Sequence, residues 1–426
     1  MLRGARWPGD VAFRDGWIEA VGIVPAEPDD RVILCDGDLI TAGLVNTHHH
    51  LYQWMTRGRC VGCDLFGWLV ELYPVWGRLD VEDVRAAALV GLTELALTGC
   101  TTAADHHYLV PRGDDTVFDA LADAATTIGI RLHLARGSMD LGESRGGLPP
   151  DHVVEEIDAI LSSTESVIAR HHDGERIVVT VAPCSPFSVT PELMRESAEL
   201  ARRHGLKLHT HLAETIEEER DSLERFGKRP VDLLDELGWI SGDVWVAHGI
   251  HFDDAEVARL GAAGTGVAHC PSSNSRLGAG MCRVIDLETA GAPVGLGVDG
   301  AASNEVGGLR AELRQALYTA RQRAGRAEAF MPADALRVGT EGGARCLGRD
   351  DIGRLEPGLR ADVVVWPGDD LADIQDPLAG FVLGSERHAR HVFVGGERVV
   401  EDGELVGADP ETLRRDLAAR ARRLWT

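Results

Sequence analysis

His48 and His50 stand one residue apart after an apolar run, Asp38-Leu39-Ile40-Thr41-Ala42-Gly43-Leu44-Val45, that reads as a buried strand. Alternate side chains of an extended chain share a face, so both imidazoles point one way and His49 points the other. Two neutral imidazoles aimed at one point begin a metal site, and the strand-like lead-in argues against a solvated histidine-rich loop. The remaining ligands must come from elsewhere. Residues 206–214 read Leu-Lys-Leu-His-Thr-His-Leu-Ala-Glu, in which His211 is nearer the carboxyl end and is the better ligand, while His209 reads as a packed, hydrogen-bonded histidine. Glu214 falls in the following loop, where a carboxylate can carry protons without binding the ion. Val244-Trp245-Val246-Ala247 leads to His248, and Val294-Gly295-Leu296-Gly297-Val298 leads to Asp299. A carboxylate closing so apolar a run is costly unless it meets a cation or a proton donor. Together His48, His50, His211 and Asp299 make a nitrogen and oxygen set for one divalent ion, with room left for water.

Such a set requires distant strands to deliver their carboxyl ends to one place. Strand-like and helix-like segments alternate with short connections, the pattern of a parallel sheet built from βα units. Candidate strands end near Thr47, Asp105, Arg136, Pro183, Leu212, His248, Cys270 and Asp299, eight in all. Polar reactive residues close nearly every one, and only a closed barrel gathers that many strand ends at one site. Helix signals lie between them. Asp80 caps a segment carrying Val84, Ala88 and Leu95 with Gly99 as its stop, and Thr190-Pro191-Glu192 opens another that ends at His204-Gly205. Glu217-Glu218-Glu219-Arg220 reads as a solvated helix start. Hairpin signals stand at both ends, Asp15-Gly16 within residues 11–22 and Gly395-Gly396 between Val392–Val394 and Glu397–Val400. The expected fold is α/β: a (β/α)8 TIM barrel over residues 41–345, with a small β-sandwich formed by residues 1–40 and 346–426, the latter ending in a tail helix.

With 426 residues, 44% hydrophobic and 26% charged, the chain has ordinary globular usage and can bury a large core. A net charge of −25 argues against nucleic-acid phosphates, whose recognition needs clustered Lys and Arg, and favours a free small molecule as substrate. The first residues lack the apolar run of a secretory signal, and no later run reaches the ~18 apolar residues of a membrane span, so a soluble, cytoplasmic protein with no membrane partner is expected. The eight cysteines are scattered except for Cys60-x-x-Cys63, which lacks the second pair of a structural zinc site and reads as two unpaired thiols.

The motifs Gly43–His50, His209-x-His211-x-x-Glu214, Ala247-His248, Ala268-His269-Cys270-Pro271 and Gly297-Val298-Asp299-Gly300, in this order, resemble the amidohydrolase superfamily in its branch of purine, pyrimidine and triazine deaminases. The likeness runs from about residue 35 to about residue 405. It implies one divalent metal, zinc or in some members iron, on His48, His50, His211 and Asp299. It further implies that Glu214 shuttles protons, that His248 orients the attacking water and that Asp299 accepts the water's proton. Homo-oligomers are common in the superfamily, although no segment here marks an interface. Members with two metals carry a bridging lysine at the end of strand four, whereas that strand here ends Val181-Ala182-Pro183-Cys184. This favours one metal and deamination over cyclic-amide hydrolysis.

Within the branch, His48–Gln53, Leu65–Leu69, Asp105–Tyr108, Ala135–Met139, Gly146–Pro150 and Pro183–Ser188 are most similar to 8-oxoguanine deaminases. That resemblance implies release of ammonia from 8-oxoguanine, giving urate, or from a related 2-aminopurine. Guanine deaminases place an arginine, and several adenosine-type enzymes a histidine, where Cys184 stands; a small cysteine leaves space for an extra oxygen on the purine. Gln53 offers both a donor and an acceptor to a base edge, and Arg136 offers a guanidinium fork suited to planar acceptors. The plainer readings are loop packing for Gln53, a surface ion pair for Arg136 and a core thiol for Cys184. The segment Thr56–Asp64 departs from the 8-oxoguanine enzymes in length and composition, which keeps isocytosine, a pterin or a hydroxy-s-triazine open as substrates of the same machinery. A silent barrel that only binds a heterocycle is expected to have lost a ligand or Glu214, and none is missing.

Overall fold

The computed structural model describes residues 1–110 and 113–425. Eight parallel strands close into a barrel: Leu44–Asn46, Cys100–His107, Arg131–Ser138, Ile177–Pro183, Leu208–Leu212, Val244–His248, Gly266–His269 and Val294–Leu296, counted below as strands one to eight. Leu296 opposite Asn46 closes the ring. Each strand ends within three residues of the position read from the sequence.

Period-two alternation divides every strand between two environments. Leu132 and Leu134 of strand three join the large apolar core that includes the surrounding helices. Val45, Ala104, Trp245 and Ala268 instead meet one another inside the barrel, against a floor made by Ala344, Cys346, Leu347 and Ile352. On strand five the same alternation turns His209 and His211 inward, with His209 one layer below and stacked on Trp245 at 4.4 Å between ring centroids. The interior is therefore packed beneath the carboxyl ends.

The helices follow their capping signals. Val81–Leu97 begins with a reciprocal capping box between Asp80 and Asp83, and Pro191–Arg203 begins on the Thr190 hydroxyl. The tail helix Pro410–Leu424 buries Leu417, Ala421 and Leu424 and sets Arg414 2.6 Å from Glu94 on the Val81–Leu97 helix.

The apolar run before His48 forms two strands where one is expected, Leu39–Ala42 and Leu44–Asn46. The first pairs antiparallel with Val363–Trp366, the second belongs to the barrel, and Gly43 stands at the crossing. A Cβ on Gly43 would overlap the Thr101 side chain, so only glycine lets the chain pass from one sheet to the other there. The strand Leu39–Ala42 consequently runs across the point where the barrel was expected to begin. Its five-stranded sheet continues through His391–Val394, Glu397–Glu401 and Glu404–Leu405. A four-stranded sheet from residues 2–34 packs on it, with Leu2, Val11 and Ile18 against Ile40, Val363 and Phe393. Arg131 of strand three donates to both oxygens of Asp362 at 3.0 and 3.1 Å, a buried pair that fastens the barrel to this sheet.

One cysteine expectation fails. Cys60 and Cys63 are joined as a disulfide rather than standing as free thiols. A left-handed turn at Cys60 (φ +49°) brings the two Cα atoms to 5.5 Å, a separation that suits a disulfide. Among the described residues no helix is long and apolar enough to cross a membrane.

Candidate active site

Strand one delivers His48 and His50 to the barrel mouth, strand five His211, strand six His248, and the loop after strand eight Asp299. All five are buried. Ligand-capable atoms of His48, His50, His106 and His211 lie within 4.8 Å of one another, and those of His48, His248 and Asp299 form a second such group. His49 faces away: its Nδ1 accepts from the His50 backbone N–H and its carbonyl accepts from His106.

The protons on these rings can be placed from their partners. His50 Nδ1 lies 2.7 Å from the His106 carbonyl oxygen, and His211 Nδ1 lies 2.7 Å from the Cys184 carbonyl oxygen. A carbonyl can only accept, so each Nδ1 carries the hydrogen and each Nε2 keeps a lone pair. Those two Nε2 atoms face each other at 3.1 Å. Burial lowers the pKa of both histidines and of His48, which keeps the rings uncharged and their lone pairs free. Two lone pairs at that separation repel unless a cation lies between them. Asp299 Oδ1 completes the cluster at 3.5 Å from His48 Nε2 and 3.4 Å from His50 Nε2. These residues fit a divalent metal ion.

Backbone strain aims three of the side chains. Six non-glycine residues among those described have positive φ, and three of them, Ala213 (+52°), His248 (+72°) and Asp299 (+61°), follow or end strands five, six and eight. Such conformations persist only where surrounding bonds hold them. At Ala213 the support is Glu218, whose carboxylate accepts the N–H groups of Ala213 and Glu214 at 2.9 and 2.8 Å. At Asp299 the backbone N–H donates to the His48 carbonyl, and Ser273 donates to Oδ2 at 2.6 Å, leaving Oδ1 toward the histidines. At His248, Nδ1 meets Asn274 Oδ1 at 3.0 Å.

Glu214 lies on the wall of the same cavity, 4% exposed, with Oε2 3.4 Å from His248 Nε2. Burial raises its pKa to about 7, where one carboxyl group can both give and take a proton near neutrality. It belongs to neither ligand-capable group.

Gln53 and Cys184 also line the cavity. Gln53 lies across Gly300, where any Cβ would displace its amide. Burial pushes the Cys184 thiol up to about 12, so it presents a neutral, weakly polar surface. Arg136 does not reach the cavity, which corrects its reading as a substrate contact. It shares the outward face of strand three with Leu132 and Leu134, and its guanidinium donates to both oxygens of Glu155 at 2.8 and 3.1 Å and lies over the Phe118 ring. Sequence reasoning did not assign His106, Ser273 or Asn274, and it read Glu218 as part of a solvated helix start, whereas that carboxylate is buried and bonded to the N–H groups of Ala213 and Glu214. For Ser273 and Asn274 the available signal was their place in a polar stretch directly after the His269-Cys270-Pro271 motif; the stretch lies in the short helix Pro271–Arg276.

A closed parallel barrel whose strand ends converge three uncharged imidazoles and a carboxylate defines a metal-centred hydrolase scaffold. The chain belongs to the amidohydrolase family, whose profile matches residues 39–399. It is 50% identical to an 8-oxoguanine deaminase from Pseudomonas aeruginosa over 94% of this chain and 91% of that protein. It is 36% identical to an isoxanthopterin deaminase from an unknown prokaryotic organism, over 99% of this chain and 92% of that one. Among solved structures, the zinc complex of the atrazine chlorohydrolase TrzN from Arthrobacter aurescens TC1 superposes with a TM-score of 0.93 at 31% identity, covering 99% of both chains.

Proposed function

We propose that this protein is a metal-dependent aminohydrolase that releases ammonia from a free aminated heterocycle, with 8-oxoguanine, hydrolysed to urate, as the leading substrate. The observation that carries the chemistry is the pair of carbonyl-fixed Nε2 lone pairs on His50 and His211 facing each other beside Asp299, with Glu214 on the adjoining wall. The 50% identity to an 8-oxoguanine deaminase supports the substrate. His48, His50, His211 and Asp299 hold the ion, with zinc favoured by the zinc-bound relative. A divalent ion held there supplies Lewis-acid activation of water at neutral pH.

The chain's own groups handle the protons. Asp299 takes the proton of the attacking water; Ser273 and the Gly300 N–H hold its two oxygens in place, with Oδ1 turned toward the histidines. Glu214 delivers a proton to the ring nitrogen beside the amino-bearing carbon as the water oxygen bonds to that carbon. The proton taken by Asp299 passes to the amine, which leaves as ammonia, and the new hydroxyl returns a proton to Glu214 to give the oxo product. His248, held at Nδ1 by Asn274, orients the water from its Nε2 side. Gln53 reads the base edge, and the small Cys184 leaves room for the purine's extra oxygen.

A second reading keeps this machinery and changes the ring, and the isoxanthopterin relative favours a pterin. Parallel ammonia-release assays on 8-oxoguanine, guanine, isocytosine, pterins and hydroxy-s-triazines decide. Turnover of 8-oxoguanine with the highest kcat/KM is expected; no turnover of it alongside turnover of a pterin or triazine would reject the substrate assignment.

A further inference from the structure

The three histidines around the ion position are not held alike. Those of His50 and His211 end directly on backbone carbonyls, whereas His48 Nδ1 lies 2.8 Å from Nε2 of a second imidazole, His209. The roles in that contact are fixed from its far side. His209 Nδ1 lies 2.9 Å from the Trp245 carbonyl oxygen, which can only accept, so His209 carries its hydrogen on Nδ1. Its Nε2 is then an acceptor, His48 must donate from Nδ1, and the His48 lone pair falls on Nε2. That atom is buried without a hydrogen-bond partner and lies 3.5 Å from Asp299 Oδ1. The His209 ring cannot turn away, because it is fully buried, stacked on Trp245 at 19° and met edge-on by His106 at 4.9 Å.

We propose that His209 is a positioning residue that relays the tautomer set by the Trp245 carbonyl to His48 and so aims the His48 Nε2 lone pair at the metal. The inference rests on the metal-centre reading given above. It distinguishes a relay from mere filling of space. An apolar side chain at 209 leaves His48 free to place its hydrogen on Nε2, where that hydrogen excludes the ion, while any side chain with an acceptor in reach of His48 Nδ1 preserves the arrangement. Partners of this kind orient metal-bound histidines and raise their basicity.

The test compares wild type with His209→Leu and His209→Gln. Each protein is stripped with a chelator, and zinc affinity is measured by competition with a chromophoric chelator; the visible spectrum of the cobalt-loaded form and thermal unfolding of the metal-free form are recorded alongside. His209→Leu is expected to weaken zinc binding about 10–100-fold and to alter the cobalt bands. His209→Gln, whose amide oxygen can accept from His48, is expected to recover most of the loss even where it shares the leucine variant's change in unfolding temperature. Leucine binding as tightly as wild type, or glutamine binding as weakly as leucine, would overturn the relay. Wild-type protein that takes up no zinc would reject the metal-centre reading itself. Should the leucine variant fail to fold, nitrogen NMR of zinc-loaded wild type with 15N-labelled histidine decides: a protonated Nδ1 and bare Nε2 on His209 are expected, and a protonated Nε2 overturns the proposal.

Discussion

Replacing Glu214 by glutamine tests the proton path more directly than any other change. The substitution conserves shape, and the backbone that carries it is held independently by Glu218 through the N–H groups of Ala213 and Glu214, so the loop keeps its position. Glu214 lies outside both ligand-capable groups, so the metal content is expected to stay at the wild-type level. What is lost is a transferable proton. Moving a proton with a positioned group is worth roughly 10²–10⁴-fold in rate, or about 3–5 kcal/mol of barrier. The surroundings place this case in the upper half of that range. Asp299 is engaged by Ser273 and by the Gly300 N–H, and His248, the neighbour facing Glu214 at 3.4 Å, is tied at Nδ1 to Asn274. Neither is free to take over delivery to the ring nitrogen. The assay is ammonia release under saturating 8-oxoguanine, with metal content measured on the same samples. A kcat about 10³–10⁴-fold lower at unchanged metal and little-changed KM is expected. Wild-type activity would remove Glu214 from the mechanism, and loss of metal along with activity would make it part of the ion's support.

Three further outcomes follow from the geometry. Chelation is expected to abolish turnover and zinc to restore it; well under one ion per chain in protein purified without chelator, with no recovery on adding zinc, would revive a binding-only barrel. Arg136→Met leaves the Glu155 carboxylate, 9% exposed, without its partner and is expected to cost about 3–5 kcal/mol in urea unfolding, while KM for the heterocycle stays near wild type. A raised KM with no loss of stability would return Arg136 to substrate binding. Thiol titration of denatured, unreduced protein is expected to find the six free cysteines, and eight would show that Cys60 and Cys63 are not joined.

Most of the barrel was legible because its signals are local and periodic. Apolar runs closed by His211, His248 and Asp299 announced buried strands with reactive ends, and Asp80 and Thr190 announced helix starts where they occur. The approach of four ligand residues from strands far apart in sequence was legible only because their types suit one ion. What escaped depends on direction. Arg136 stands at a strand end like the others, yet alternation turns it toward the helices, and a one-residue difference in where strand three leaves the barrel decides between cavity and ion pair. The left-handed turns at Ala213, His248 and Asp299 leave no mark in the sequence, since alanine ordinarily avoids this conformation and Asp and His, though enriched in it, adopt it only at a minority of positions. The break at Gly43 was hidden inside an unbroken apolar run, since both of its strands are buried.

Arg136 lies outside the cavity and brings no charge to its wall. Among the described residues no lysine or arginine lines the cavity, and the uncharged polar groups on its wall include the Gln53 amide, the Ser303 hydroxyl and the Tyr73 and Tyr108 rings beside the Cys184 thiol. For the proposed oxo-substituted ring, neutral donors would favour the neutral ring form, and a divalent ion on His48, His50, His211 and Asp299 would supply the positive charge. The cavity measures about 30 Å³, space for a few waters at ~10–15 Å³ each, so the proposed bicyclic substrate would need lining side chains to give way. The ligand histidines cannot be the ones that move, because carbonyls and strand backbone fix them. The Leu65–Trp76 helix contributes Leu65, Trp68, Leu69 and Tyr73 to the wall, beside Tyr108, Phe187 and Leu277 from other segments. The groups proposed to react stand on strand ends and the loops directly after them, whereas most of the apolar wall comes from the Leu65–Trp76 helix.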